Sequence, residues 1–250
     1  MEGYGAETYG RRIADVYDDL YGELFDVDAI VAVLAGIAGD APALELAIGT
    51  GRIALPLIRA GVNVSGIDIS EEMVAKMRAK SGGSDVDVTM GNFADVDVEG
   101  RFGLIFIVFN TLFALGSQDE QLRCFRNVAE HLADDGAFVV EAFVPDVTRY
   151  ERHQTVSVEE VDSDTVMLDA SRHDPVAQRV DSQHVVLRAT GIELYPVSIR
   201  YAYPAELDLM ARLAGLELRH RWGGWHNEPF NSESKFHVSV YARSQTRSHI

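Results

Sequence analysis

The sequence predicts a doubly wound α/β fold whose seven-stranded sheet carries an antiparallel β insertion after the fifth strand. Between residues 43 and 143, short apolar runs alternate with helical stretches, which is typical of parallel strands joined by crossover helices. The apolar runs are nearly continuous, as expected for strands that are covered on both faces. After Pro145 several β-type stretches follow one another with no helix between them, which indicates an antiparallel sheet.

The elements follow from local patterns. Residues 5–38 are predicted to be helical, because apolar residues recur there at helical spacing until Gly39 and Pro42. Strands are predicted at 43–48, 62–69, 86–90, 104–109 and 137–143, and helices at 52–59, 70–80 and 119–132. Ser70, followed by Glu71 and Glu72, is a good helix start, because serine caps the first turn and acidic residues favour it.

The second half of the chain is predicted to be mostly β. Strands at 155–158, 166–168, 180–187 and 192–201 form the insertion. A helix at 205–214 and strands at 216–222 and 236–241 close the chain.

Composition limits the classes of partner. The 250 residues suit one domain with a sizeable insertion, and 47% hydrophobic residues allow a full core. The net charge of −17 repels phosphate backbones and anionic lipid, so we expect no nucleic acid and no membrane partner. Cys124 is the only cysteine, and we expect it to be a buried core thiol in a cytoplasmic protein.

The segment E-L-A-I-G-T-G-R, from Glu45 to Arg52, is the most informative motif. It joins the first strand to a helix at the sheet edge where open α/β folds bind ligands. Gly49 and Gly51 lack a Cβ, so the backbone can approach a bound molecule, and the helix N-terminus offers free N–H groups. The same letters fit the G-x-G-x-x-A dinucleotide fingerprint, and a tight turn that binds nothing is the alternative.

Residues at the next two strand ends add to a candidate nucleoside site. Asp68 ends the second strand, where a carboxylate can accept hydrogen bonds from a ribose diol. Ile69 and Met73 can pack on an adenine face, and the amide of Asn92, next to Phe93, can meet the adenine edge. The alternatives are a capping aspartate, ordinary helix core and a simple turn.

In order, the segments ELAIGTGR (45–52), GIDISEEM (66–73), GNF (91–93), FNTLFAL (109–115) and HLADDGAFVVE (131–141) resemble the class I SAM-dependent methyltransferases. The resemblance implies a Rossmann-like fold, with SAM as cofactor and SAH as product. The segment Ala14-Asp15-Val16-Tyr17-Asp18, followed by Tyr21, and the insertion are similar to deoxysugar N,N-dimethyltransferases of antibiotic pathways. This implies transfer of a methyl group to a nitrogen or oxygen of a small metabolite.

The resemblance also implies a division of the chain and of the site. It suggests a helical lid at 1–40, a SAM-binding core at 41–145 and 204–243, and a substrate-binding insertion at 146–203, with homo-oligomer formation left open. The implied SAM-binding residues are Tyr17, Glu45, Ala47, Gly49, Gly51, Arg52, Asp68, Ile69, Met73, Asn92, Phe93, Phe109 and Asn110. Two of them depart from the family pattern, since Ala47 stands where glycine is usual and Asn92 where aspartate is usual.

Methyl transfer needs alignment and exclusion of water more than a dedicated nucleophile, so no metal site is expected. An amine acceptor must lose a proton, and the candidates to bind it or take the proton are Glu141, Tyr21 and His226. Their alternatives are a structural carboxylate, a core aromatic and a solvated loop histidine. The candidates for acceptor binding are Phe143, Arg200, Tyr201, Tyr203, Trp222 and Trp225. Tyr201 and Tyr203 are expected on one face of a strand, and the alternative is that these aromatics join the insertion to the core.

Two further functions remain open from the sequence alone. An NAD(P)-dependent oxidoreductase fits the glycine fingerprint, although we find no Tyr-x-x-x-Lys pair and 42 residues precede the first strand. A non-catalytic SAM-binding protein would carry the same motifs.

Overall fold

The computed structural model describes residues 1, 3–5, 7–18, 25–95 and 98–244. Helices in these ranges are α1 (Thr8–Ile13), α2 (Val27–Ala38), α3 (Ala54–Arg59), α4 (Glu71–Arg78), α5 (Gln118–His131) and α6 (Pro204–Leu213). Strands of the first sheet are β1 (Ala43–Leu46), β2 (Val64–Asp68), β3 (Val88–Met90), β4 (Phe102–Ile107), β5 (Leu132–Phe143), β10 (Leu216–Trp222) and β11 (Phe236–Arg243). Those of the second sheet are β6 (Gln154–Val161), β7 (Thr165–Asp174), β8 (Arg179–Arg188) and β9 (Gly191–Arg200).

The first sheet has the strand order β10-β11-β5-β4-β1-β2-β3. Strands β1 to β5 pair in parallel, and β11 runs antiparallel between β5 and β10. The strand order reverses between β1 and β4, and ligands of open α/β sheets bind at the carboxyl ends of the strands at such a switch point. The predicted seven-stranded doubly wound sheet is confirmed, as is the antiparallel insertion after its fifth strand.

Helices cover both faces of this sheet. Ile30 and Leu34 of α2 pack on one face, and Phe125 and Val128 of α5 pack on the other. Cys124 of α5 is fully buried, and burial raises the pKa of its thiol to about 12, which confirms the predicted core thiol. None of the helices in the described ranges has both the length and the apolar character that a bilayer-spanning segment needs.

Several element ends differ from the sequence-based prediction for identifiable reasons. Strand β1 ends at Leu46 because Ala47 turns the backbone into the left-handed region, at φ 58°. Strand β9 ends at Arg200, so the prediction that Tyr201 and Tyr203 share a strand face is wrong; Tyr203 instead precedes α6 as its N-cap. The predicted helix start at Ser70 is confirmed, since its Oγ accepts a hydrogen bond from the Met73 N–H at 3.2 Å.

Helix α1 lies between the two sheets. Its Ile13 is fully buried in a cluster with Met73, which follows β2, and with Val186 and Tyr195 of the second sheet. A Cβ on Gly10 would lie 2.6 Å from the Ser70 side chain, so glycine allows this close approach. The N-terminal helix and the second sheet therefore meet beside the carboxyl ends of β1 and β2.

Candidate active site

The loop after β1 is built from three left-handed residues. Ala47, Gly49 and Gly51 have φ values of 58°, 57° and 73°. The family's usual glycine at position 47 is explained by this conformation, which alanine adopts only with strain. A Cβ on Gly51 would meet the Met77 Cγ at 2.5 Å, whereas a Cβ on Gly49 would meet no atom closer than 3.9 Å. Gly51 is thus required by internal packing, and Gly49 leaves open space above the loop.

Asp68 holds this loop from the end of β2. Its carboxylate accepts hydrogen bonds from the Gly49 N–H at 2.7 Å and from the Ser70 N–H at 2.8 Å, one on each oxygen. Burial raises the pKa of Asp68, although the N–H donors lower it in part. A carboxylate has about four acceptor sites, and because the Ile69 N–H also reaches Asp68, one of them remains for a ligand hydroxyl.

The end of β4 is also strained, and the end of β5 holds it in place. Phe109 and Asn110 both have left-handed backbones, with φ values of 57° and 62°. The Phe109 N–H donates to Glu141 Oε2 at 2.8 Å, and the Phe143 N–H donates to Asn110 Oδ1 at 2.6 Å. Strained non-glycine residues cluster at functional sites more than elsewhere. Glu141 therefore has a structural partner, and burial raises the pKa of its carboxyl.

One pocket joins the ends of β1 and β4, and six predicted cofactor-binding residues line it: Tyr17, Glu45, Ala47, Gly49, Arg52 and Phe109. Its volume is about 30 Å³, because the Arg52 side chain lies across it. The Arg52 guanidinium is 3.9 Å from the centre of the Phe109 ring and donates a hydrogen bond to the Tyr17 hydroxyl at 2.8 Å. Small-molecule pockets usually measure roughly 300–1,000 Å³, so this crevice is closed.

Phe25, Asp18, Thr50 and Lys80, which the sequence did not identify as site residues, also help to close the crevice. Phe25 packs on Phe109, with 4.3 Å between ring centres. Asp18 accepts a hydrogen bond from Thr50 Oγ1 at 2.7 Å and forms an ion pair with Lys80 Nζ at 2.6 Å. Thr50 lies inside the glycine loop, and a hydroxyl at this position is the one feature of the sequence that could have indicated a hydrogen bond from the loop to another segment.

The predicted adenine-binding residues lie in different surroundings. Ile69 is 38% exposed at the sheet edge, which leaves an apolar surface for a ligand, and Met73 is buried below it. Asn92 uses its Oδ1 to accept a hydrogen bond from the Ala94 N–H at 2.9 Å, so its amide nitrogen remains available as a donor. Phe93 is buried in the core cluster rather than exposed at the edge.

Most predicted acceptor-binding residues do not converge on this crevice. Arg200 is buried in an ion pair with Glu206 at 2.6 Å, and the buried Tyr201 hydroxyl bonds His173 Nε2 at 2.9 Å. Tyr203 is 40% exposed at the start of α6. Phe143, at the end of β5, packs edge-on against Phe113.

The loop after β10 carries the remaining candidates. Trp222 stacks on His220, with 5.5 Å between ring centres, and packs against the core. The side chain of His226 is 66% exposed and lies 3.2 Å from Asp26 Oδ2. Trp225 is close enough to Glu141 to lower the pKa of that carboxyl. Tyr21 lies outside the described residues.

One buried polar atom near the crevice, Glu45 Oε2, has no hydrogen-bond partner in the described part of the chain. Burial raises the pKa of Glu45 well above its usual value. Buried polar atoms are normally paired, so an unpaired one beside an open glycine loop fits a site that takes a polar ligand. In the described residues no three His, Cys, Asp or Glu side chains are grouped to hold a metal ion.

Comparisons with known proteins agree with this fold. Residues 43–136 match a family model described as a methyltransferase domain. The CcbJ methyltransferase from Streptomyces caelestis is 43% identical, with a TM-score of 0.91 over 97% of this chain and 100% of that chain. The cypemycin N-terminal methyltransferase of a Streptomyces species is 26% identical over 91% of this chain and 98% of the relative.

A third relative is a sugar-modifying enzyme. The dTDP-3-amino-3,6-dideoxy-alpha-D-glucopyranose N,N-dimethyltransferase of Streptomyces fradiae is 28% identical over 53% of this chain and 54% of the relative. These relatives contradict the oxidoreductase interpretation of the G-x-G-x-x-A fingerprint.

Proposed function

The chain belongs to the SAM-dependent methyltransferases, and we propose that its acceptor is an amine nitrogen of a small molecule made in secondary metabolism. Two relatives support an amine, since one is named for a peptide N-terminus and the other for an amino sugar. The observation that carries the proposal is the strained glycine loop at the switch point of the sheet, together with Asp68 at its side.

In this proposal the glycine loop and the strand ends each bind a different part of the cofactor. SAM supplies a methyl group that its sulfonium makes electrophilic. The open side of Gly49 receives the amino-acid part, and the remaining acceptor site of Asp68 binds a ribose hydroxyl. Ile69 and Asn92 contact the adenine, while the strained turn at Phe109 and Asn110 lies below the reacting centre.

The closed crevice requires the N-terminal segment to move before a cofactor enters. Arg52 stacks on Phe109 and bonds Tyr17, and Asp18 bonds Thr50, so these contacts break together when the crevice opens. After closure the same aromatic surfaces exclude water from the reacting atoms. We therefore assign residues 1–40 the role of a lid, with residues 41–145 and 204–243 as the cofactor-binding core and 146–203 as the acceptor-binding insertion.

The three proposed acid–base residues differ in their surroundings. Glu141 accepts a hydrogen bond from the Phe109 N–H, so we propose that it positions the strained turn and takes a proton only through its second oxygen. His226 is mostly exposed beside Asp26, which suits a role at the mouth of the site more than at its centre. Tyr21, which follows the Asp18 contact in sequence, stays a candidate from the lid.

Calorimetric titration with SAH and mass spectrometry of amines incubated with SAM test the proposal. We expect SAH to bind the wild-type chain and an amine to gain one or two methyl groups. A Gly49→Val variant should lose SAH binding, because its side chain would fill the open side of the loop, whereas Gly36→Ala, with no atom near its Cβ, should bind normally. Failure of the wild-type chain to bind SAH would contradict the proposal.

Cellular setting and partners are proposals from the sequence. We propose a cytoplasmic protein with neither nucleic acid nor membrane as partner, because the net charge is −17 and Cys124 is the only cysteine.

A further inference from the structure

The inner face of the second sheet, which faces α1 and the ends of β4 and β5, is polar where a packed sheet is usually apolar. Cross-strand pairing places its side chains in rows. One middle row contains Ser157, Asp169, His184 and Tyr195, and the next contains Thr155, Ser171, Ser182 and Val197. Burial along β6 shows which side chains belong to the inner face. Thr155 and Ser157 are half-buried and point inward, whereas Val156 and Val158 are exposed on the outer face.

Apolar rows flank this polar belt on both sides and fix its position. On one side Val186 and Met167 pack with Ile13 near Met73, beside the end of β2. On the other side Val180 and Ile199 belong to the cluster that contains Phe113 and Phe143. The polar belt therefore spans the space between the N-terminal helix and the ends of β4 and β5, where an acceptor must lie to face the cofactor crevice.

Asp169 is the only carboxylate in these two rows. Its Oδ1 accepts a short hydrogen bond from Ser171 Oγ, which lies 2.6 Å from Ser182 Oγ. Its Oδ2 lies 3.3 Å from His184 Nδ1. The carboxylate also lies near Tyr150, because its charge contributes to raising the pKa of that hydroxyl.

The charge of Asp169 has no lysine or arginine partner in the described part of the chain. Asp169 is 8% exposed, and a buried carboxylate is unfavourable unless a cation or several hydrogen bonds compensate it. By contrast, Asp181 on the outer face of the same sheet pairs with the N-terminal ammonium at 3.1 Å. A carboxylate that is held in place, largely buried, and has His184 but no lysine or arginine beside it is an arrangement that a cationic ligand can complete.

We propose that Asp169 binds the amine of the methyl acceptor, a role that rests on the proposed function. An acceptor with a primary or secondary amine binds as its ammonium form, which donates N–H hydrogen bonds to the carboxylate and brings a positive charge to it. One proton then passes to solvent, because the nitrogen needs a free lone pair to attack the methyl carbon. Ser171 and His184 are positioning residues, because each contacts the carboxylate and fixes its orientation. The ligand class is an aliphatic amine on a polar small molecule. The Ser171 hydroxyl bonds the carboxylate, Ser182 lies beside Ser171, and Thr155 and Ser157 occupy neighbouring positions in the two rows.

The experiment measures methyl transfer to four amine probes with SAM in saturating amount. The probes are dTDP-3-amino-3,6-dideoxy-α-D-glucopyranose, an alanyl tripeptide with a free N-terminus, cyclohexylamine and proline methyl ester. Asp169→Asn should raise the KM for an accepted amine about 10- to 100-fold, because a charge-assisted hydrogen bond is lost. Asp169→Glu should recover part of this loss, and Ser171→Ala should raise KM less than Asp169→Asn does.

Asp181→Asn is the matched control, since Asp181 also accepts a serine hydroxyl, from Ser198 Oγ at 2.5 Å, but on the outer face. It should leave KM unchanged. Titration with SAH is run on every variant and should give the wild-type affinity, which shows that each variant is folded.

Unchanged KM in Asp169→Asn, or an equal rise in Asp181→Asn, overturns the proposal. So does the absence of methyl transfer to all four amines by a wild-type chain that binds SAH. A wild-type chain that does not bind SAH instead contradicts the proposed function itself, so the two failures are distinguishable.

Discussion

Replacement of Asp68 with asparagine should separate cofactor binding from stability. The carboxylate holds the Gly49 and Ser70 N–H groups, and the amide oxygen of asparagine can keep one of these bonds. We expect the variant to be at least as stable as the wild-type chain at pH 7 but to bind SAH much more weakly.

The stability expectation follows from the direction of the pKa shift. Burial raises the pKa of Asp68, so the folded chain binds this proton more tightly than the unfolded chain does. By linkage, the free energy of unfolding falls as pH rises from the pKa of Asp68 in the unfolded chain to its raised pKa in the folded chain. A neutral amide of the same shape avoids that loss, which offsets the weakened backbone hydrogen bond.

The binding expectation follows from the proposed contact between Asp68 and the ribose of the cofactor. A charge-assisted hydrogen bond contributes about 1.5–3 kcal/mol, so its loss should weaken SAH binding roughly 10- to 150-fold. Calorimetric titration and thermal unfolding at pH 7 measure the two effects. Asp85→Asn is the control, because Asp85 is exposed in the turn before β3 and accepts a hydrogen bond from the neighbouring Ser84 hydroxyl. A variant that melts several degrees lower and binds SAH as tightly as the wild-type chain would refute the reasoning.

Three further variants test other parts of the structure. Gly51→Ala should lower the free energy of unfolding in urea by about 2–4 kcal/mol, since its Cβ would lie 2.5 Å from the Met77 Cγ on a left-handed backbone; a loss below 1 kcal/mol would contradict this. Burial lowers the pKa of His237 to about 4, so wild-type stability should fall by about 1.4 kcal/mol per pH unit as pH drops from 6.5 towards 4. His237→Gln should flatten this slope in urea unfolding, and an unchanged slope would show that other groups cause it. Thr50→Val removes the 2.7 Å hydrogen bond to Asp18, so trypsin should cleave the N-terminal helix about 2- to 12-fold faster, and equal rates would exclude Thr50 as a lid contact.

The sequence was sufficient to predict the sheet and the position of the glycine loop after β1. The strand interiors were recognisable because their apolar runs are buried on both faces, as in β4, and the start of α4 was recognisable because Ser70 caps it. Glu45, Gly49 and Arg52 lie on one pocket because the carboxyl end of a parallel strand always leads to the same edge.

The parts that could not be predicted depend on contacts between distant segments. The Arg52 guanidinium is held in place by the aromatic rings of Tyr17 and Phe109. These residues are 35 and 57 positions away in the chain, so no local sequence pattern could indicate the contact. Asp169 was missed because the prediction ended the second insertion strand at residue 168, whereas β7 continues to Asp174. Polar residues alternate along β7 as they do in a strand that faces solvent. Only the packing of β8 and β9 shows that the face with Asp169 points inward.

Helix α1 packs on two parts of the molecule, since its Ile13 lies in one cluster with Met73, which follows β2, and with Val186 and Tyr195 of the second sheet. A displacement of this helix should therefore loosen its packing against both. With residues 1–40 acting as the proposed lid, cofactor and acceptor share one route in and out, and we expect product release rather than methyl transfer to limit the turnover rate.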